Sequence, residues 1–186
     1  VPLLTHRYPD KVLFLPLATC PVYCSYCTRS RIIGGSTESK KKSTYGARPK
    51  AWEPAFKYIE SNPHIKDVVI SGGDSYLLQP KQIRDIGERL LAIPHIKRFR
   101  YATKGLAIGP MKIMSDPDWL DELTYVNVMA KQKGVEVAIH THFSHPNEIT
   151  GITRDAAQIL FKRGITVRNQ AVLQKGVNDS KSTMHK

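Results

Sequence analysis

Two hydrophobic periods alternate along this chain. Compact apolar runs at 11–17, 67–70, 98–103, 135–141 and 165–173 have the length of buried strands. Segments 52–61, 80–93, 116–133 and 153–163 instead place apolar residues three and four apart, the spacing of a helix that turns one face to a core. Asn62-Pro63, Ile93-Pro94 and Gly164 stop three of these helices, because proline cannot continue a helix and glycine commonly follows one. Ser115-Asp116 and Thr153 are the N-cap candidates.

Strand alternating with helix predicts parallel strands joined by right-handed crossovers. Five such steps cannot close an eight-stranded barrel. The expected fold is therefore α/β, a partial, open TIM-like βα barrel forming one domain over 1–186, with a doubly wound sheet as second choice. In both, the working face lies at the carboxyl ends of the strands, where nearly every unusual motif of this chain falls. Residues 34–46 are the one polar stretch without pattern, and 180–186 read as a helix that has barely begun.

Composition narrows the class. A 41% hydrophobic content with 8 Tyr, 5 Phe and 2 Trp supports one core. No apolar run approaches the roughly 20 residues of a membrane span, and no leader pattern opens the chain at Val1, so a cytoplasmic protein, or a fragment of one, is expected. The net charge of +12 raises nucleic acid as a partner. However, the one dense basic run, Lys40-Lys41-Lys42, sits among Ser and Thr without aromatics and reads as a solvated loop, so nucleic acid is not the expected partner.

All three cysteines, Cys20, Cys24 and Cys27, fall within eight positions. An odd, clustered set makes a poor disulfide framework and a good ligand set. The spacing C-x3-C-x2-C suits a 4Fe-4S cluster, in which three soft thiolates hold three irons and the fourth stays unligated by protein. The alternatives are buried apolar thiols and a structural zinc site, and the latter lacks its second cysteine pair. His140, His142 and His145 also have a metal-site spacing, but a catalytic zinc usually takes a further ligand from a distant strand, and such histidines are more often satisfied polar groups.

Further strings extend the cysteine motif: Thr5-His6-Arg7-Tyr8-Pro9-Asp10, Cys27-Thr28-Arg29, Ser71-Gly72-Gly73-Asp74, Thr141-His142-Phe143 with the HPNEIT string at 145–150, Asn169-Gln170, and Gly176-Val177-Asn178-Asp179. In order and approximate spacing, over almost its whole length, the chain resembles the lysine 2,3-aminomutase family of the radical SAM superfamily. The cysteine motif points only to the superfamily, whereas HPNEIT and GVND are specific to this branch.

The resemblance implies a radical SAM isomerase. Its 4Fe-4S cluster, on Cys20, Cys24 and Cys27, would bind and reductively cleave S-adenosylmethionine. The resulting radical would abstract hydrogen from an amino-acid substrate, whose amino group migrates with the help of pyridoxal phosphate. Ser71, Gly72, Gly73 and Asp74 would line the S-adenosylmethionine amino group, since glycines let backbone approach a ligand and a carboxylate accepts from an ammonium. Arg29 would hold the substrate carboxylate, Asp179 its ammonium groups, and Arg7 and Tyr8 would lie near pyridoxal phosphate. His142 to Glu148 become a strand-end wall of the active site. The plainer alternatives are a strand-to-helix turn at 71–74, a surface Arg29, a helix N-cap at Asp179 and an exposed N-terminal arm for Arg7 and Tyr8. A reductant protein is the implied partner, and homo-oligomers remain open.

The chain also departs from the family. The family's Schiff-base lysine lies in a glycine-rich segment downstream of GVND, whereas this chain ends seven residues past Asp179, so a C-terminally truncated core is expected. Tyr101-Ala102-Thr103-Lys104-Gly105 replaces a Gly-Ser-Arg type sequence, 106–134 is longer than its counterpart, Ser75-Tyr76 differ after SGGD, and Lys11 replaces an arginine. These changes fit a divergent subfamily whose substrate need not be lysine. Two other readings stand beside it: radical SAM modification of RNA or a protein side chain, and a non-catalytic truncated remnant.

Overall fold

The computed structural model describes residues 1–38, 41–42 and 48–185, so Lys40, Gly46, part of the polar stretch between them and Lys186 lie outside the described residues. Its strands are β1 (Leu4–Tyr8), β2 (Lys11–Leu17), β3 (Asp67–Gly72), β4 (Arg98–Ala102), β5 (Glu136–Thr141) and β6 (Thr166–Asn169). Its helices are α1 (Glu53–Glu60), α2 (Pro80–Ala92), α3 (Gly105–Ile108), α4 (Lys112–Ser115), α5 (Pro117–Gln132), α6 (Gly151–Lys162) and α7 (Lys181–Met184). The strands form one mixed sheet in sequential order, with β1 antiparallel to β2 and every later pair parallel.

Alternation along the strands decides which face the helices cover. Val12 and Phe14, Val68 and Ile70, Phe99 and Tyr101, and Val137 and Ile139 are buried in one cluster with Trp52, Phe56, Ile59, Ile86, Leu90, Leu123, Val126 and Leu160 from the helical segments. Phe14 meets Trp52 and Phe56 edge-on at ring separations of 6.0 and 5.2 Å, contacts worth about 1 kcal/mol each beyond burial. The doubly wound alternative fails here, because the strand order never reverses and this cluster packs on a single face of the sheet.

Most boundaries follow the local signals, and the exceptions have local causes. Asp116 caps α5 by accepting from the Trp119 N–H at 3.1 Å, as expected. Thr150, not Thr153, caps α6; Thr153 occupies the third helical position, and its hydroxyl oxygen accepts from the Thr150 N–H in return. Ser180 caps α7, so Asp179 is not the cap. The strand β1 was not expected, because four of its five residues are exposed and carry no apolar alternation; it exists through its hairpin pairing with β2. At the far edge, β6 ends at Asn169 rather than at 173, since past that point only Gln170 still bonds β5, donating to Thr141 O at 3.0 Å.

The amino edge of the sheet carries a buried charge. Asp67 is fully buried at the start of β3 and pairs with Arg98 at 2.9 Å, with Arg100, and with Lys11 at 3.6 Å. A buried carboxylate persists only when paired in this way.

Candidate active site

Residues 18–36 leave the carboxyl end of β2 as an irregular loop that contains all three cysteines. The thiols of Cys20, Cys24 and Cys27 are free and half-buried. Cys27 N–H donates to Cys24 O at 3.0 Å, and the Cys20 thiol donates to Val22 O at 3.1 Å. Burial pushes the Cys20 thiol pKa up against that bond, and the nearby Asp74, Cys24 and Cys27 add to the rise. A small cleft of about 130 Å³ lies against the loop, lined by Ala18, Thr19, Cys20, Tyr23, Gly34 and Gly35.

Three neighbouring thiols on one irregular loop fit an iron-sulfur cluster by donor type and spacing. They are not drawn together as a ligand set: among the described residues, no group of three or more His, Cys, Asp and Glu side chains is close enough to hold a metal ion. The same holds for His140, His142 and His145. Burial and nearby cations hold the pKa values of His140 and His142 below the ordinary imidazole value.

The Ser71 to Asp74 turn forms the floor under this loop. Gly73 N–H donates to Leu17 O at 2.8 Å, and Asp74 N–H donates to Thr19 O at 3.0 Å. A Cβ on Gly72, whose φ is 92°, would come within 2.4 Å of Leu17 O. The glycines thus allow close approach of the cysteine loop's own backbone. Asp74 is buried; its two carboxylate oxygens accept from the Tyr76 and Lys104 N–H groups, each at 2.9 Å. Burial raises its pKa, opposed by bonds from Thr103, Tyr76 and Lys104 and by the Arg29 charge. Here Asp74 does what the strand-to-helix turn requires, capping the turn Ser75–Leu77. Arg29 returns across the loop, its Nε donating to Gly72 O at 3.0 Å.

A polar network closes the same edge from β4 and β5. Lys104 Nζ donates to His142 O at 3.0 Å and to Glu148 Oε1 at 2.9 Å, while Glu148 Oε2 accepts from Ser144 N–H at 2.7 Å. The Tyr26 hydroxyl, between the second and third cysteines, lies 2.8 Å from His142 Nε2 and 3.0 Å from Ser144 Oγ. Buried Asn178 donates to Ser144 O at 2.8 Å and to Val172 O at 2.9 Å, which brings exposed Asp179 to this edge.

The residues read from sequence therefore separate into two places. Cys20, Cys24, Cys27, Arg29, Ser71 to Asp74 and the 142–148 wall share the carboxyl edge. Arg7 and Tyr8 are exposed on β1, where Tyr8 pairs with Lys11 at the opposite edge, about 20 Å away along β2 at the usual rise per residue. Sequence reasoning gave no role to Tyr26, Lys104 or Asn178, and covered Ser144 only as part of the 142–148 wall. Asn178 lies inside the GVND string and Tyr26 inside the cysteine motif, but a hydrogen-bond partner more than 100 residues away leaves no local pattern. Two of the departures from the family pattern also meet: Ser75 Oγ donates to Ala102 O at 2.8 Å, and a Cβ on Gly105 would come within 2.2 Å of the Tyr76 ring.

A loop with three cysteines set on the carboxyl edge of a mostly parallel α/β sheet defines the candidate site. No family model matches the chain. Among curated proteins it is 34% identical over 184 residues to the L-lysine 2,3-aminomutase of Fusobacterium nucleatum, covering 99% of this chain and 39% of the relative. It is 37% identical over 186 residues to that of Acetoanaerobium sticklandii, covering 100% and 41%. It is 33% identical over 181 residues to the glutamate 2,3-aminomutase of Clostridioides difficile, covering 97% and 38%. The chain belongs to the lysine 2,3-aminomutase family, a radical SAM family, and spans about two-fifths of the length of these curated relatives.

Proposed function

We propose that this chain carries the cluster and S-adenosylmethionine site of a radical SAM aminomutase that acts on an amino acid. The observation behind this reading is the pinning of the three-cysteine loop to the Ser71 to Asp74 turn, in a chain that aligns with aminomutases throughout. The fold that goes with it is an open TIM-like barrel in one domain over 1–186; sequential strands with helices packed on one face support it.

In this reading Cys20, Cys24 and Cys27 hold a 4Fe-4S cluster. The cluster and S-adenosylmethionine supply the one-electron chemistry that starts hydrogen abstraction, and pyridoxal phosphate aids migration of the amino group. The chain's own residues bind and orient. Gly72 and Gly73 set the backbone of the turn under the loop, and Asp74 offers its remaining lone pairs to an ammonium. Arg29 and Asp179 take the two ends of the substrate, while Arg7 and Tyr8, at the opposite edge, take no part in this site. Relatives named for lysine and for glutamate both align, so the substrate is assigned only as an amino acid. A reductant protein, in the cytoplasm, is the partner this chemistry requires.

The test is anaerobic reconstitution with iron and sulfide, reduction with dithionite, addition of S-adenosylmethionine and assay for 5'-deoxyadenosine. Product that disappears in Cys24→Ala is expected. A fully loaded cluster with no 5'-deoxyadenosine would overturn the enzymatic reading.

A further inference from the structure

Among the described residues, the cysteine loop is tied to the carboxyl edge of the sheet at three points. Its entry is held by backbone bonds from Gly73 and Asp74 to Leu17 and Thr19, and its exit by Arg29 on Gly72 O. Its middle reaches β5 through Tyr26, whose ring lies 5.4 Å from that of His142 between centroids. Of the three, only this middle tie joins side chain to side chain, so a single atom can be removed to test it.

The direction of the middle tie follows from its surroundings. Burial and the Lys104 ammonium keep His142 neutral at pH 7, and its ring also bonds the Gln170 backbone. With Nε2 facing the hydroxyls, the Gln170 bond takes the proton on Nδ1 and leaves Nε2 as an acceptor. Tyr26 O–H then donates to His142 Nε2, and Ser144 O–H donates to the Tyr26 oxygen. Both partners are themselves fixed. Ser144 N–H is bonded to Glu148, and Lys104 bridges Glu148 to the His142 carbonyl. The acceptor is thus preorganised, and the flexible partner is the cysteine loop.

We propose that Tyr26 is a positioning residue: its hydroxyl tethers the segment between Cys24 and Cys27 to the end of β5 and so restrains those two cysteines before a cluster is assembled. The purpose of the tether rests on the cluster reading above, but the tether is a property of the metal-free chain and is measured there.

The experiment is residue-resolved alkylation of the reduced, metal-free protein by iodoacetamide, read by mass spectrometry, together with a urea titration. Losing one hydrogen bond worth about 1 kcal/mol raises the population of locally open loop, so Tyr26→Phe should speed labelling of Cys24 and Cys27 about five- to tenfold. Cys20, held at the loop entry, should change little, and the urea midpoint should fall by no more than the loss of that same single hydrogen bond, about 1 kcal/mol, accounts for. His142→Ala should reproduce the effect, and His142→Gln, which keeps a polar acceptor, should largely rescue it. After reconstitution, Tyr26→Phe should lose iron faster to a chelator than the parent does. Equal labelling rates in Tyr26→Phe and the parent would overturn the proposal. So would a uniform rise at all three cysteines, which is general loosening. Parent protein that takes up no iron and sulfide overturns the cluster reading instead, a result distinct from either labelling outcome.

Discussion

A Cβ on Gly73 would sit 1.8 Å from the carbonyl oxygen of Thr19, so the turn after β3 and the root of the cysteine loop are in backbone contact. Neither side can yield by rotating a side chain. Gly73→Ala should therefore destabilise the fold by about 3 kcal/mol, the upper end of overpacking costs, whereas Gly35→Ala, with nothing within 4 Å, should be nearly neutral. Paired urea titrations check both, and an unperturbed Gly73→Ala would show that the contact is not as close as described.

Asp74 accepts two backbone N–H bonds while buried. An amide has a single acceptor oxygen and turns a donor toward one of those N–H groups. Asp74→Asn should cost about 1 to 2 kcal/mol, the price of one buried unsatisfied donor less the relief of removing a buried charge. Chemical denaturation measures the cost, and titration with S-adenosylmethionine on the reconstituted protein measures any separate effect on binding.

Removing the Asp67 carboxylate leaves Arg100, 15% exposed in its side chain, without its counter-charge. Lys11 and Arg98 are far more exposed and lose little. Asp67→Asn should destabilise by about 3 kcal/mol, as breaking a mostly buried pair does. Because Asp67 lies at the amino edge, the labelling rates of the cysteines at the opposite edge should stay as they are in the parent.

Acid should weaken the fold through His140 and His142. The pKa values of both are lowered by burial from the ordinary 6.5. The unfolded chain therefore takes up protons that the folded chain refuses. Their contribution is full above pH 6.5 and is lost as pH falls from there toward the folded-state values. The urea midpoint should drop between about pH 7 and about pH 5, and a His140→Gln, His142→Gln double variant should flatten that slope.

Much of the fold was legible because its signals are local. The five parallel strands, the four longer helices and the stops at Pro63, Pro94 and Gly164 follow from side-chain period and backbone chemistry within a few residues. The cap of α6 was misplaced by three residues because Thr150 and Thr153 share a reciprocal pair and either fits the motif. The strand β1 was missed because an exposed hairpin strand has no buried face to set a pattern.

The sequence by itself determined the donor chemistry of this protein: three thiols on one loop, an SGGD turn after a strand, and the family these strings belong to. Side-chain chemistry and short-range spacing are written in consecutive residues, so no fold is needed to read them. Only the tertiary structure decided what those residues touch. It joined Tyr26 to His142, Lys104 to Glu148 and Asn178 to Ser144, and it set Arg7 and Tyr8 at the edge opposite the cysteines. Such contacts depend on strand register and on which face the helices cover, quantities that arise from packing the whole sheet and not from any short segment of it.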